Sequence, residues 1–285
     1  MKSLFFFKFF FILSLLFALL APFTFQQINK PNKLIVEQIK VEQIKEAETP
    51  VIDIETPLHA VTLPDFAKIR DVKQKKRQFF NFIRPDIDKE NQKLLNIRVE
   101  IKHWLEIVSL EQTLSEQQQS ELNKLIESYK VNENFSLLQQ LNELLIRIDI
   151  IPSPLVLVQA ANESAWGTSR FARIGLNFFG LWCYRQGCGM VPNGRNHGAK
   201  HEVAAFNSVN HSVKRYLHNI NTHNAYIVFR AIRGQLRAQN QALQPEVLAT
   251  GLLSYSERGT AYVLEITEMI RHNRLYFLPG DVDAE

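Results

Sequence analysis

Between Ile151 and Trp182 the chain reads IPSPLVLVQAANESAWGTSRFARIGLNFFGLW, and this stretch restricts the possible folds more than any other. Ser153-Pro154 predicts a helix start, with Ser as N-cap and Pro in the first turn. Leu155, Val156, Leu157, Val158, Ala160 and Ala161 then make the helix apolar nearly all round, the pattern of a central, buried helix. Glu163 closes this helix just before Gly167 stops it. Burial disfavours a charged carboxylate, and the negative end of the helix dipole disfavours it again. Both effects raise the pKa, as a general acid working near neutral pH requires. A Glu that only caps or pairs at a helix end is the ordinary alternative.

The rest of the chain supplies material to wrap such a helix. From about Val72 the pattern is helical. In RVEIKHWLEIV, Ile101, Trp104, Leu105 and Val108 recur at i, i+3, i+4, i+7 and form one apolar face. Ser115 and Gln118 predict a capping box opening a helix to about Tyr129. Further helices are predicted over 136–148, 210–220, 222–239, 244–254 and 259–273. The strand-like stretches are Cys188 to Val191 and His201 to Phe206, separated by the turn-rich NGRNHG. The expectation is a mainly α fold with a small β-hairpin.

Residues 4–25 (LFFFKFFFILSLLFALLAPFTF) have 17 residues without a charge from Phe9 onward, with Lys2 and Lys8 at the N-terminal side. This predicts a membrane anchor whose N-terminus stays in the cytoplasm, or a cleaved signal peptide. Residues 26–71 read as a linker or stalk, with isolated prolines and the duplication VEQIK-VEQIK at 36–45. An exported chain gives Cys183 and Cys188, in CYRQGC, the context for a local disulfide, with two free thiols as the alternative.

The net charge of +4 favours anionic partners, but no nucleic-acid-binding motif accompanies it. The run Lys73 to Arg77 reads as one solvated helix face. His197 and His201 lie in a Gly-rich turn, and His201-Glu202 lacks the second His of a zinc helix. Neither a metal nor an organic cofactor is expected.

The string Glu163-Ser164-x-Trp166-Gly167-x-Ser169, followed by Asn177-x-Phe179-Gly180, resembles the signature of bacterial N-acetylglucosaminidases of the flagellar-rod and autolysin kind, glycoside hydrolase family 73. The resemblance covers roughly residues 130 to 278. It implies a lysozyme-like helical fold with a cleft beside a short hairpin. The implied reaction is hydrolysis of the β-1,4 bond after N-acetylglucosamine in peptidoglycan. It makes Glu163 the catalytic acid and Tyr255 and Tyr262 candidate cleft tyrosines. Asn177, Phe178, Phe179 and Gly180 match the loop that shapes the cleft floor. Ser164 and Trp166 are further candidate substrate-binding residues, and Trp166 and Trp182 are candidate stacking surfaces for sugar rings.

One departure stands out. Many family members carry a second acid on the hairpin, and here the stretch from Cys188 to Phe206 offers only Glu202. Strict alternation puts Glu202 on one face with Ala204 and Phe206. The expected organisation is an anchor or signal segment (1–25), linker (26–71), helical extension (72–130), catalytic domain (131–278) and tail (279–285). The expected partners are peptidoglycan strands and, through residues 4–25, the inner membrane, with the enzyme on its periplasmic face or free in the periplasm. A lytic transglycosylase sharing the single Glu and a wall-binding scaffold without turnover are the rival readings.

Overall fold

The computed structural model describes residues 56–195, 198 and 200–277. The expected anchor, most of the linker, His197 and the tail lie outside the described residues. Among the described residues no helix is long and apolar enough to cross a membrane.

Nine α-helices, short 3-10 turns and a three-stranded sheet make up the described chain. Helix α1 (Val72–Ser109) is a single rod of 38 residues, about 57 Å at 1.5 Å per residue. Asp71 caps it by accepting the Gln74 amide at 2.6 Å. The predicted capping box opens α2 (Glu116–Ser128), and a second one, from Ser136 and Gln139, opens α3 (Leu137–Arg147). Helix α4 (Ser153–Glu163) is the central helix, with Leu155 to Ala161 buried without interruption. Burying each Leu or Val there contributes roughly 1.5–3 kcal/mol, which fixes α4 as the axis of the core. The start of α4 differs from expectation. Pro152 is the N-cap and Ser153 is already helical, so its hydroxyl donates to Asp88 of α1 at 2.7 Å instead of capping.

After α4 come α5 (Arg170–Gly175), β1 (Trp182–Cys183), β2 (Gly189–Met190) and β3 (Glu202–Ala204). The expected hairpin is present as β2 against β3, antiparallel, with Met190 opposite Val203. Trp182 and Cys183 add a third strand on the other side of β3, in the order β1-β3-β2. A two-residue strand has no alternation to read, which is why it escaped prediction. Helices α6 (Val209–Thr222), α7 (Ile227–Ala238), α8 (Pro245–Ala249) and α9 (Thr260–His272) complete the body.

The helical extension 72–130 packs against the body: α1 lies on α3, α4 and α6, burying Phe79, Phe80, Ile83, Ile87 and Ile101 in the shared core. Residues 56–71, placed in the linker by their prolines, also lie on the body. Phe66 is buried between Phe79 and Phe82, and the Leu58 amide donates to the Ile174 carbonyl at 2.8 Å. Few apolar residues per length hid this segment, because a strap needs only one or two anchors.

Candidate active site

Helix α4 ends at Glu163, and the next residues turn sharply. Ala165, Trp166 and Gly167 all have left-handed backbone, with φ of 49°, 58° and 78°. Only the last tolerates this without steric cost, and a Cβ on Gly167 would sit 2.5 Å from the Phe66 ring. The turn is held by Ser164, fully buried, whose hydroxyl donates to the Ala160 carbonyl at 2.6 Å and accepts the Gly167 amide at 2.8 Å. Ser164 therefore builds the helix end and does not face substrate. Trp166 has its ring against Phe79 and Phe80, with the Lys76 ammonium 5.5 Å from the ring centre. It belongs to an aromatic cluster instead of offering an open stacking face.

Asn177 explains the second half of the motif. Its amide donates to the Leu181 and Ala204 carbonyls, both at 2.8 Å. Its oxygen accepts the Phe179 and Leu181 amides. One side chain thus folds residues 177–181 and ties them to β3. Phe178 packs on Phe79 and Phe82, and Phe179 stacks on Tyr216 at 4.2 Å. Asn177, Phe178 and Phe179 are buried to within 1% exposure and support the 177–181 loop from beneath. Gly180 alone of the four is exposed. Its φ is +64°, and a Cβ there would lie 3.6 Å from Glu163 Oε2. The floor loop is folded so that bare backbone lies beside the Glu163 carboxyl.

That carboxyl is enclosed by phenols. Burial raises the Glu163 pKa; hydrogen bonds from Tyr262 and Asn162 and the charge of Arg258 pull it partly back, and Glu265 pushes it up again. The net direction is upward, as the helix position predicts. Tyr262 is 1% exposed, and its hydroxyl accepts the Gln159 side-chain amide at 2.9 Å. With that lone pair occupied, the Tyr262 proton is free for Glu163. Gln159 in turn accepts the Tyr216 hydroxyl, so Tyr216, Gln159, Tyr262 and Glu163 form one directed chain of hydrogen bonds. Burial, with the Glu163 charge adding to it, holds the Tyr216, Tyr226, Tyr255 and Tyr262 hydroxyls above their usual range and keeps them protonated.

Tyr255 stacks on Tyr262 with centroids 5.4 Å apart, and its hydroxyl donates to the Phe179 carbonyl at 2.9 Å. It braces the floor loop, whereas Tyr262 touches the carboxyl. Gln159 was not singled out by the sequence reading. Its i, i+4 spacing from Glu163 on an otherwise apolar helix was the available signal.

Glu202 is 6% exposed, and its two oxygens accept the Gly187 and Gly189 amides at 3.0 and 2.9 Å. These backbone bonds hold it below the usual carboxylate range. Val203 beside it is also buried, so alternation does not separate an inner from an outer face here. The carboxylate closes the 183–188 loop, which the Cys183–Cys188 disulfide also closes. Cys183, Cys188 and Glu202 lie together, but with the two sulfurs bonded to each other they are not thiolate ligands. Trp182 is half exposed on the edge strand, two residues from Gly180, with the His201 ring 3.9 Å away.

A mainly helical body with a small sheet beside a half-buried carboxyl fits the lysozyme-like class of glycosidases. Residues 138–275 match the family model described as Glucosaminidase, mannosyl-glycoprotein endo-beta-N-acetylglucosaminidase. The chain is also similar to Protein bax of Escherichia coli (strain K12), 32% identical over 214 residues that cover 75% of each chain. The protein belongs to this glucosaminidase family of glycoside hydrolases. No solved structure matches it.

Proposed function

We propose that this protein hydrolyses the β-1,4 bond after N-acetylglucosamine in peptidoglycan, with Glu163 as general acid. The observation that carries the reading is the Glu163 carboxyl itself. It is half-buried at the end of a buried helix, raised in pKa, oriented by Tyr262, and bordered by the exposed backbone of Gly180. A carboxyl so placed holds its proton to higher pH than a free glutamate and gives it to the leaving glycosidic oxygen as the C–O bond breaks. Water supplies the hydroxyl to the anomeric carbon, and its remaining proton restores the Glu163 acid.

Glu202 is committed to the disulfide loop, so the cation-like transition state falls to other groups. The 2-acetamido group of the substrate is the nearest chemistry at hand, since a sugar carrying one can shield its own anomeric carbon. Trp182 is placed to stack on a neighbouring sugar ring. In the same reading, residues 4–25 export the chain and hold it at the periplasmic face of the inner membrane.

The occupied Glu202 also favours a second reading, a lytic transglycosylase, which needs one acid and no activated water. Both are tested by digesting purified sacculi with the full chain, wild type beside Glu163→Gln, and analysing reduced products by mass spectrometry. Reducing N-acetylglucosamine ends that vanish in the variant support the hydrolase. Anhydro-muramyl ends favour the transglycosylase. Sacculus binding without products from either protein would sink both and leave the scaffold. A mannosyl-glycoprotein, the substrate class in the family description, serves as the competing substrate. Faster cleavage of it than of sacculi would overturn the wall assignment.

A further inference from the structure

A cavity of about 630 Å³, lined in part by Asp149, lies beyond the opposite end of α4 from Glu163, and α4 itself, Ser153–Glu163, is about 15 Å long at 1.5 Å per residue. The second half of α1, the end of α3 and the end of α7 wall it. Four cations line it, Arg98 and Lys102 from α1 and Arg233 and Arg237 from α7, against the single carboxylate of Asp149. Each helix presents its pair at i, i+4, the spacing that stacks two like charges on one face and destabilises a helix. Two such pairs aimed at one space, with one counter-charge, leave a surplus of three positive charges.

The existing contacts absorb part of this surplus. Arg237 grips both oxygens of Asp149 at 3.0 and 2.9 Å, and Arg98 approaches the same carboxylate at 3.4 Å. Arg98 and Arg233 also donate to the last carbonyls of α3, at Leu145, Ile146, Arg147 and Ile148. Capping α3 is thus one role of these residues, and it accounts for the guanidinium ends. It does not account for Lys102, exposed and without an ion pair among the described residues. Nor does it account for the Arg233 Nε, which is buried and has no hydrogen-bond partner. Burial pushes the Arg233 guanidinium down to about 9, with Arg98, Arg230 and Arg237 adding repulsion and Asp149 opposing it.

We infer that this cavity is a binding site for a multiply charged oxyanion of the phosphate or pyrophosphate class, carried on a small polar molecule. A dianion or trianion matches a surplus of three charges better than a single carboxylate does, and Arg and Lys are the residues that recognise phosphate. The cavity is larger than a phosphate group, and the side-chain amides of Asn240 and Gln241 on its wall suit hydroxyls on the rest of the ligand, the Asn142 amide being donated to the Leu138 carbonyl at 2.8 Å. Gly234 lies on the wall between Arg233 and Arg237, and a Cβ there meets nothing within 4 Å. The helix is open toward the cavity at that position.

The test is calorimetric titration of the full chain with inorganic pyrophosphate, and with phosphate, at ionic strength matched by chloride. Wild type and Glu163→Gln should bind pyrophosphate saturably and alike. Gly234→Leu starts a bulky side chain where a Cβ meets nothing within 4 Å, and should weaken binding at least about tenfold while leaving sacculus cleavage unchanged. Lys102→Ala, at an exposed position, should weaken it by about the same factor without changing the melting temperature. Binding untouched by Gly234→Leu, or no binding beyond the chloride control, overturns the site. Tighter binding of citrate than of pyrophosphate overturns the phosphate assignment. The binding and melting outcomes are read without any cleavage, so failure of the glycosidase reading leaves them in force.

Discussion

Helix α4 has a carboxyl group near each end, half-buried Glu163 and buried Asp149, and the two are driven in opposite directions. At the C-terminal end Glu163 sits among neutral phenols, and burial raises its pKa. Just before the N-terminal end Asp149 is buried too, which by itself would raise it. There the hydrogen-bonded Arg237, with Arg233 and Arg98, outweighs burial and holds it below the usual range. Depth alone therefore does not decide ionisation; the company does. Phenols stay uncharged and compensate the desolvation of Glu163 only in part, whereas guanidiniums compensate that of Asp149 in full.

The comparison breaks most sharply with Glu163→Gln. Removing a general acid is expected to lower sacculus cleavage about 10²- to 10⁴-fold, read by product release, with the fold intact. At the other end Asp149→Asn leaves three guanidiniums without their carboxylate. It should lower stability by about 3–5 kcal/mol in denaturant unfolding, with activity per folded molecule preserved.

The pH responses should also oppose each other. Glu163 has a raised folded-state pKa, so its contribution to stability is present below its unfolded value near 4.5 and is lost as pH rises through the folded value. Asp149 has a lowered one, so its contribution is present above about 3.8 and is lost as pH falls through the folded value. The stability of Glu163→Gln relative to wild type should therefore grow as pH rises above about 4.5, in melts across that range. A constant difference would mean that the carboxyl is not shifted. Cleavage by wild type should decline over the same rise, as the acid loses its proton.

Smaller effects test the parts that hold Glu163. Gln159→Leu frees the Tyr262 lone pair and lets its proton turn away from the carboxyl. It should cut kcat about tenfold, with KM little changed and the basic limb of the pH profile displaced. A simple packing defect would lower stability and leave that limb in place. Gly180→Ala puts a methyl group beside Glu163 on a left-handed backbone, and should cost about 1 kcal/mol of stability with a modest loss of cleavage.

Much of the fold was legible because its helices carry strong signals. The apolar run of α4, the Ser115 capping box and the heptad-like face of α1 each follow from local chemistry. The position of Glu163 at a buried helix end was legible for the same reason. What escaped depends on contacts distant in sequence. Phe66 reads as one aromatic in a proline-rich stretch until α1 is folded beneath it. Glu202 reads as a free acid on a hairpin until the Gly187 and Gly189 amides are seen to converge on it. Ser164 and Asn177 read as polar residues near a catalytic acid, available to substrate. Their burial shows that a motif can mark the residues that shape a site as strongly as those that touch it.

The order of these residues along the chain has a consequence in time. Glu163 receives its hydrogen bond from Tyr262, 99 residues later, and the aromatic cluster around Trp166 is completed by Tyr276 and Phe277 near the end of the described chain. At about 5–20 residues per second, the acid is synthesised roughly 5–20 s before the tyrosine that orients it. Until that residue arrives, α4 lacks the α9 contacts and the Tyr262 hydrogen bond that it has in the folded chain. On the proposed reading, a chain truncated before Tyr262 carries the acid without the side chain that orients it, and cleavage requires the chain through α9.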